Sequence, residues 1–341
     1  MKKIIFFLLV SFITCSCVKR NKLYKEKDPE DLKISQYLYP FHNESQSFST
    51  EITIRTKTTI PNHANISIPY LKYNKSWLFT LTQDDCKHAA YCYTWAAING
   101  RPISKNYYYN RAYITAAQRY SPIQIMTAQA QTVKLYPSRV ENDLQGQVIN
   151  RMFSSIADTK KFIESQLSRD EKEREAICVG VHGTGTDWVE FLLWLNDQYG
   201  KDGNDSMWFT SLEEYYEYNY YRVHSTIQKI QIDAHTLKIK IDIPTGAYFY
   251  YPSITLNLEG ISQTDITSIT TDNTITGLSW ADYKEGLMIN IDCRKYLLEH
   301  ATHFIEEYEK NPTSTNKRDA LYFVNMLKDS PQKKSLLARI E

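Results

Sequence analysis

The sequence predicts a mixed α/β protein that continues into a β-rich part and ends in helices. Residues 70–222 mix short apolar strands with amphipathic helices, which is typical of an α/β architecture. Residues 223–293 alternate apolar and polar positions without intervening helices, which indicates a sandwich of strands that each have one wet face. Helical spacing of apolar residues returns near the C-terminal end of the chain. The 341 residues suffice for two domains.

The N-terminus has the layout of an export signal. Two lysines precede an apolar run over 4–13, which is too short to span a membrane. Cys15 and Cys17 follow, and a small serine precedes Cys17, so we expect a bacterial lipoprotein signal peptide over 1–17 with Cys17 as the lipidated residue. Lipidation at Cys15 and cleavage without lipid are the alternatives. The predicted location is the cell envelope, anchored by lipid at the outer membrane or cell surface.

The remaining chain divides into three predicted parts. Residues 18–48 are polar and charged, so we expect a tether with little core. The alternating residues of 49–69 are interpreted as leading strands of an α/β unit over 49–222, and 223–341 as a β-rich accessory domain with C-terminal helices. Lysine plus arginine number 40 against 39 aspartates and glutamates, which excludes a basic footprint for nucleic acid.

One predicted strand ends on two carboxylates. Residues 77–82 are apolar or favour β-structure, and Asp84 and Asp85 come almost directly after them. Ligands of α/β folds gather at the carboxyl ends of strands, and neighbouring carboxylates repel unless a metal or a proton is shared. One could ligate a cation while the other acts as a base. The alternative is a polar turn in which Asp85 caps a helix over 87–98.

A second buried strand, predicted over 177–182, ends in His182 and is followed by a Gly-Thr-Gly turn. Histidine titrates near neutral pH, so this side chain suits proton transfer at a strand end. The alternative is a turn residue whose ring nitrogens are satisfied locally. Asp187, at the start of the following helix, is interpreted as an N-cap.

These two strand ends resemble motifs of the polysaccharide deacetylases. Thr-Gln-Asp-Asp-Cys at 82–86 is similar to the family's Thr-Phe-Asp-Asp-Gly motif, and Val-Gly-Val-His-Gly at 179–183 is similar to its last motif. Residues 191–195 and 207–215 resemble the closing helix, strand and helix of the family's barrel, while 91–100 looks like lipoproteins of gut Bacteroidetes with such a domain. The resemblance covers about 70–222 and implies a distorted (β/α) barrel.

The resemblance also implies a hydrolase that removes acetyl groups from a glycan with a divalent metal such as zinc, cobalt or nickel. Asp84 matches the family's catalytic base, Asp85 its metal-binding aspartate, and His182 the histidine that protonates the leaving group. The family's His-x-x-x-His motif is missing, since His88 is the only histidine between Asp85 and His182. The second hypothesis is therefore a degenerate barrel that binds glycan or a protein partner without turnover.

Overall fold

The computed structural model describes residues 47–341 except 63, 84–125, 131, 145–146, 183–185, 201, 245–248, 250 and 295–296. The chain is a mixed α/β protein with several small sheets and C-terminal helices, which confirms the predicted class. The predictions for Cys17, Asp84, Asp85 and nearly all of the tether fall outside the described residues. Within those residues, no helix is both long and apolar enough to cross a bilayer.

Thirteen strands and six α-helices are described. The strands are β1 (Phe48–Thr56), β2 (Ile66–Ser67), β3 (Trp77–Gln83), β4 (Met126–Ala128), β5 (Val148–Asn150), β6 (Ile177–Val181), β7 (Met207–Phe209), β8 (Thr226–Asp233), β9 (Thr236–Ile243), β10 (Ser253–Glu259), β11 (Ile266–Thr271), β12 (Gly277–Tyr283) and β13 (Gly286–Asp292). The helices are α1 (Ile156–Leu167), α2 (Thr186–Tyr199), α3 (Leu212–His224), α4 (Leu297–Lys310), α5 (Ser314–Met326) and α6 (Pro331–Leu337).

Two antiparallel sheets form a β-sandwich. The first has the order β11-β1-β9-β8 and the second the order β12-β13-β10-β2. The alternating apolar residues predicted to face inward do so: Ile52 and Ile239 of the first sheet and Leu256 and Ile289 of the second are completely buried in one shared cluster. Polar residues between them lie on the other face of each sheet, as the two-residue period of a strand requires, and in the second sheet Thr255 and Asn290 are buried there.

The sandwich takes in the strands near the N-terminus. β1 lies between β9 and β11, and Ile52 pairs with Ile239 on one side and with Thr271 on the other. The sequence division had assigned residues 49–69 to the α/β unit, whereas the structure pairs them with strands of 223–341. The apolar residues of β1 and β9 lie on the same face of their sheet and are buried in one core. Alternation in a strand predicts that one of its faces is buried, but it does not identify the neighbouring strands.

A three-stranded parallel sheet of order β6-β3-β7 forms the core of the α/β part. On one face, Phe79 and Val179 pack under α1 and α2 in a cluster that includes Ile163 and Phe191. On the other face, Leu78 and Cys178 pack against tyrosines of α3. A parallel bridge from Met152 to Val179 continues the strand order beyond β6. The described strands do not close into a barrel, and residues 84–125 lie outside that description.

The three C-terminal helices share a small core of their own. Leu297, Ala301 and Ile305 of α4 are buried against Ala320 and Val324 of α5. The end of α5 reaches the sandwich, because the Lys328 backbone N–H donates to the Thr276 carbonyl at 3.0 Å. The helices are thereby attached to β12 and its preceding turn.

Candidate functional site

The site predicted from the sequence centres on the carboxyl ends of β3 and β6. These strands are parallel neighbours, and their last residues, Gln83 and Val181, are partners in the register. His182 follows Val181 directly, and Asp84 and Asp85 follow Gln83 in the sequence. The two aspartates lie outside the described residues. The structure therefore describes the site only up to Gln83, the residue before them, and its pairing with Val181.

His182 is an exposed side chain at this edge of the sheet. Its ring packs against Phe153, with 5.0 Å between the ring centroids. The two rings lie on a shallow, open depression of about 410 Å³, lined also by Ser154, Ser155, Gly180, Val181 and Trp188. An exposed imidazole beside an aromatic ring is accessible to a ligand in this depression.

Gly180 allows Phe153 to approach the end of β6. A Cβ atom at this position would lie 2.2 Å from Cε2 of Phe153, far inside normal contact distance. The Gly180 backbone N–H donates to the Met152 carbonyl at 2.9 Å, so the two chain segments cannot separate without losing a hydrogen bond. Glycine therefore allows the observed position of the Phe153 ring over the strand and beside His182.

Arg151 is a site residue that the sequence analysis missed. Its Nη1 donates to the hydroxyl of Thr82 at 2.9 Å, and that hydroxyl donates in turn to the Val179 carbonyl at 3.2 Å. The guanidinium also stacks over the Phe153 ring, 4.9 Å from its centroid. The sequence offers only its position directly after the short strand β5, Val148–Asn150, which by itself does not mark a site residue.

Two helices begin at this edge. Ser155 caps α1 by accepting a hydrogen bond from the Asp158 backbone N–H at 3.1 Å. α2 begins at Thr186, and Asp187 lies inside its first turn instead of preceding it. Helix N-termini carry partial positive charge, so together with Arg151 they favour negative charge at the strand ends. This is the electrostatic setting that a carboxylate or a developing oxyanion requires.

Metal ligands are sparse in the part of the chain that is described. There, no group of three or more histidine, cysteine, aspartate or glutamate side chains is placed to hold a metal ion. Catalytic zinc is usually held by three protein ligands. His182 alone therefore does not fit such a centre, and Asp85 lies outside the described residues.

A family model described as "putative polysaccharide deacetylase" matches residues 50–112 and 105–341. The chain belongs to this family. A search of curated proteins found no match.

The deacetylase family match extends well beyond the 70–222 segment on which the sequence resemblance rested. It begins within β1 and continues to the last residue, so the sandwich and the C-terminal helices belong to the matched unit. This agrees with the strand pairing, in which β1 and β2 join the sandwich and β3 begins the α/β part. The family also implies a polysaccharide as the substrate class.

Proposed function

We propose that this protein hydrolyses acetyl groups from a glycan at the carboxyl ends of β3 and β6. One observation carries the proposal: the pairing of Gln83 with Val181 in a chain of the deacetylase family. Adjacent strands lie roughly 4.8 Å apart, and consecutive Cα atoms about 3.8 Å apart. A base that follows Gln83 and an acid that follows Val181 then meet across one acetyl group.

The proposed roles divide between the two strand ends. Asp84 takes the proton from the attacking water as general base. His182 donates a proton to the departing sugar nitrogen or oxygen, which its exposed position beside Phe153 allows. Proton removal and proton donation on opposite sides of one carbonyl are the two transfers that acetyl hydrolysis needs.

Arg151 is proposed to keep the base ionised. Thr82 accepts a hydrogen bond from its guanidinium and precedes Asp84 by two residues in the sequence. A positive charge close to a carboxylate lowers its pKa, so the carboxylate is available to accept a proton at neutral pH. The same charge would also stabilise an oxyanion that forms on the acetyl carbon.

A divalent metal, zinc, cobalt or nickel, belongs to the proposal through the family and through Asp85 as a ligand. Such an ion would polarise the acetyl carbonyl and make bound water more acidic. Because the described residues contain no group of three potential ligands, the proton transfers above are derived from the side chains alone. The (β/α) barrel likewise remains a proposal, supported by parallel strands that alternate with α1, α2 and α3.

The proposed location is the cell envelope, with lipid on Cys17 as the anchor. The argument rests on the sequence of the first 17 residues. Metabolic labelling with a fatty acid should mark the wild type and leave Cys17→Ser unlabelled and released from the membrane fraction. Equal labelling of both proteins would reject Cys17 as the lipid site.

A second candidate function is glycan binding without turnover. The absence of a His-x-x-x-His motif between Asp85 and His182 favours it, because that pair normally completes the metal centre of the family. Under this hypothesis the depression beside His182 would still accept a sugar, while no acetate would be released.

Acetate release separates the two candidates. Acetylated xylan and chitin oligomers are incubated with the mature protein and added zinc, cobalt or nickel. We expect release by the wild type, its loss in His182→Ala, and normal release by His235→Ala, which removes an exposed histidine from the distant β8–β9 hairpin. Binding of a substrate without release of acetate, under every metal condition, would leave the second candidate as the better account.

A further inference from the structure

His182 is exposed, and its imidazole has an aromatic neighbour. The ring centroids of His182 and Phe153 lie 5.0 Å apart, and the two ring planes are inclined by 48°. A histidine that transfers protons is often oriented by a hydrogen bond from one ring nitrogen to a carboxylate or a backbone carbonyl. At His182 the described residues supply the Phe153 ring and no hydrogen-bonding group. A contact between rings leaves both imidazole nitrogens available for donating and accepting.

The backbone before Phe153 is fastened to β6 at two points. The Met152 backbone N–H donates to the Cys178 carbonyl at 2.9 Å, and the Gly180 backbone N–H donates to the Met152 carbonyl at 2.9 Å. These bonds make Met152 the parallel bridge partner of Val179. Because consecutive Cα atoms are about 3.8 Å apart, Phe153 starts from a fixed point beside the end of this strand.

The backbone after Phe153 is fastened to α1. The hydroxyls of Ser154 and Thr159 form a hydrogen bond of 2.9 Å, and Ser155 caps the helix by accepting from the Asp158 backbone N–H. The helix itself packs on the sheet through Ile163, which is completely buried. The turn that carries Phe153 is therefore fixed at both ends, which is the support that a precisely placed site residue needs.

The Phe153 ring occupies the space that a side chain at Gly180 would need. A Cβ atom there would lie 2.2 Å from Cε2 and 2.7 Å from Cζ of the ring. The ring thus lies directly against the backbone of β6, two residues before His182 in the sequence. Contact with a strand backbone limits the rotamers that are open to Phe153, and the ring in turn limits those open to the imidazole beside it.

The same ring is connected to the end of β3 through Arg151. The guanidinium of Arg151 lies 4.9 Å from the centre of the Phe153 ring, and its Nη1 donates to the Thr82 hydroxyl at 2.9 Å. Thr82 belongs to β3 and precedes Asp84 by two residues. Phe153 therefore contacts the proposed proton donor on one strand end and a cation that is bonded to the other.

We propose that Phe153 is a positioning residue, which holds the His182 imidazole in the rotamer that donates the proton. The inference rests on the proposed function, in which His182 protonates the leaving group. A proton donor must lie within hydrogen-bond reach of the atom that it protonates, and a misplacement of about 1 Å costs up to about a hundredfold in rate. Exposed side chains change rotamer within picoseconds to nanoseconds, so an exposed imidazole needs such a restraint.

Direct contact with the substrate is the competing role, because Phe153 also lines the depression beside His182. The two roles differ in their kinetics. A residue that only orients the proton donor acts in the transition state, so its loss lowers kcat and leaves KM unchanged. A residue that binds the ground state and the transition state equally changes KM and leaves kcat unchanged.

Nuclear magnetic resonance of the whole mature protein with labelled histidines tests the restraint without any turnover. The imidazole signal that disappears in His182→Ala belongs to His182, and its relaxation gives the order parameter of the ring. We expect a lower order parameter in Phe153→Leu and the wild-type value in Phe153→Tyr, which keeps the ring. Phe162→Leu is the matched control, because Phe162 is a half-buried phenylalanine of α1 that does not line the depression.

Acetate release measures the effect on the reaction. We expect Phe153→Leu to lower kcat roughly ten- to a hundredfold at an unchanged KM. Phe153→Tyr should recover most of the wild-type kcat, and Phe162→Leu should retain it. Thermal unfolding of each protein shows that the assays are made on folded material.

The outcomes separate this inference from the proposed hydrolysis. A lower order parameter of His182 in Phe153→Leu, with no acetate release by the wild type, would keep the restraint of the imidazole and remove the hydrolysis. An order parameter that is the same in Phe153→Leu, Phe162→Leu and the wild type would overturn the inference. So would a higher KM at an unchanged kcat in Phe153→Leu, which would assign the ring to substrate contact.

Discussion

Gly180→Ala should damage the candidate site through Phe153. The new Cβ would lie 2.2, 2.7 and 2.9 Å from three carbons of the Phe153 ring, whereas carbon atoms normally sit about 3.5–4.0 Å apart. The ring must shift by more than about 1 Å, which disturbs its contacts with the Arg151 guanidinium and the His182 ring. Overpacking of a core typically costs about 1–3 kcal/mol, and because the Phe153 ring is only half-buried we expect a loss at the lower end of this range. Urea unfolding of wild type and variant measures the loss.

A double-mutant cycle tests the stated cause. Phe153→Leu removes the atoms that collide and is expected to cost about 1 kcal/mol by itself. If the collision is the cause, Gly180→Ala combined with Phe153→Leu should be less destabilised than the sum of the single variants, by about 1 kcal/mol or more. Strict additivity, or a Gly180→Ala variant that unfolds at the wild-type urea concentration, would refute the reasoning.

Three further predictions concern the rest of the molecule. The pKa of His300 is about 4 in the folded protein and 6.5 in the free side chain, so the free energy of unfolding falls as the pH is lowered from 6.5 towards 4, by up to about 3 kcal/mol. Urea unfolding of the wild type and of His300→Phe at pH 7 and pH 5 should show this loss in the wild type alone. Lys72→Met removes the ammonium that lies 3.1 Å from the Glu214 carboxylate and should lower the free energy of unfolding by about 3 kcal/mol. The double variant Lys72→Met plus Glu214→Leu should lose less, and thermal unfolding measures both. Residues 223–341 expressed alone lack the central strand β1 and should show no cooperative unfolding by circular dichroism, whereas joining residues 47–70 to them should restore it.

Each of these has a clear contrary result. Equal loss of stability with acid in wild type and His300→Phe would show that other groups dominate. A Lys72→Met protein as stable as the wild type would mean that solvent already screens the pair. Cooperative unfolding of the isolated 223–341 fragment would show that the sandwich folds without β1 and would support the domain division predicted from the sequence.

The strands that carry the candidate site could be predicted because they are apolar runs with abrupt ends. The strand expected over 77–82 is β3, Trp77–Gln83, and the strand expected over 177–182 is β6, Ile177–Val181. Fully buried parallel strands read as continuous apolar runs, and the change to Asp84 or His182 marks their carboxyl ends. Their adjacency followed only from the family resemblance, and the pairing of Gln83 with Val181 now gives it directly.

The partners of those strands could not be predicted, because pairing depends on distant segments. The alternation in β1 indicates one wet face but says nothing about which strands lie beside it, and its partners are some 190 to 220 residues away, at Ile239 and Thr271. Arg151 was missed for the same reason. Its role depends on Thr82, which is 69 residues distant, and an arginine after a short strand has no local signature.

Acetate release by Asp84→Asn tests the central claim most directly. The substitution keeps the shape of the side chain and removes the base, so the protein should unfold at the same temperature as the wild type. Both proteins are assayed on acetylated xylan and chitin oligomers with added zinc, cobalt or nickel. The account predicts acetate release by the wild type and at least about a hundredfold lower rate for Asp84→Asn. Equal rates for the two proteins would contradict it.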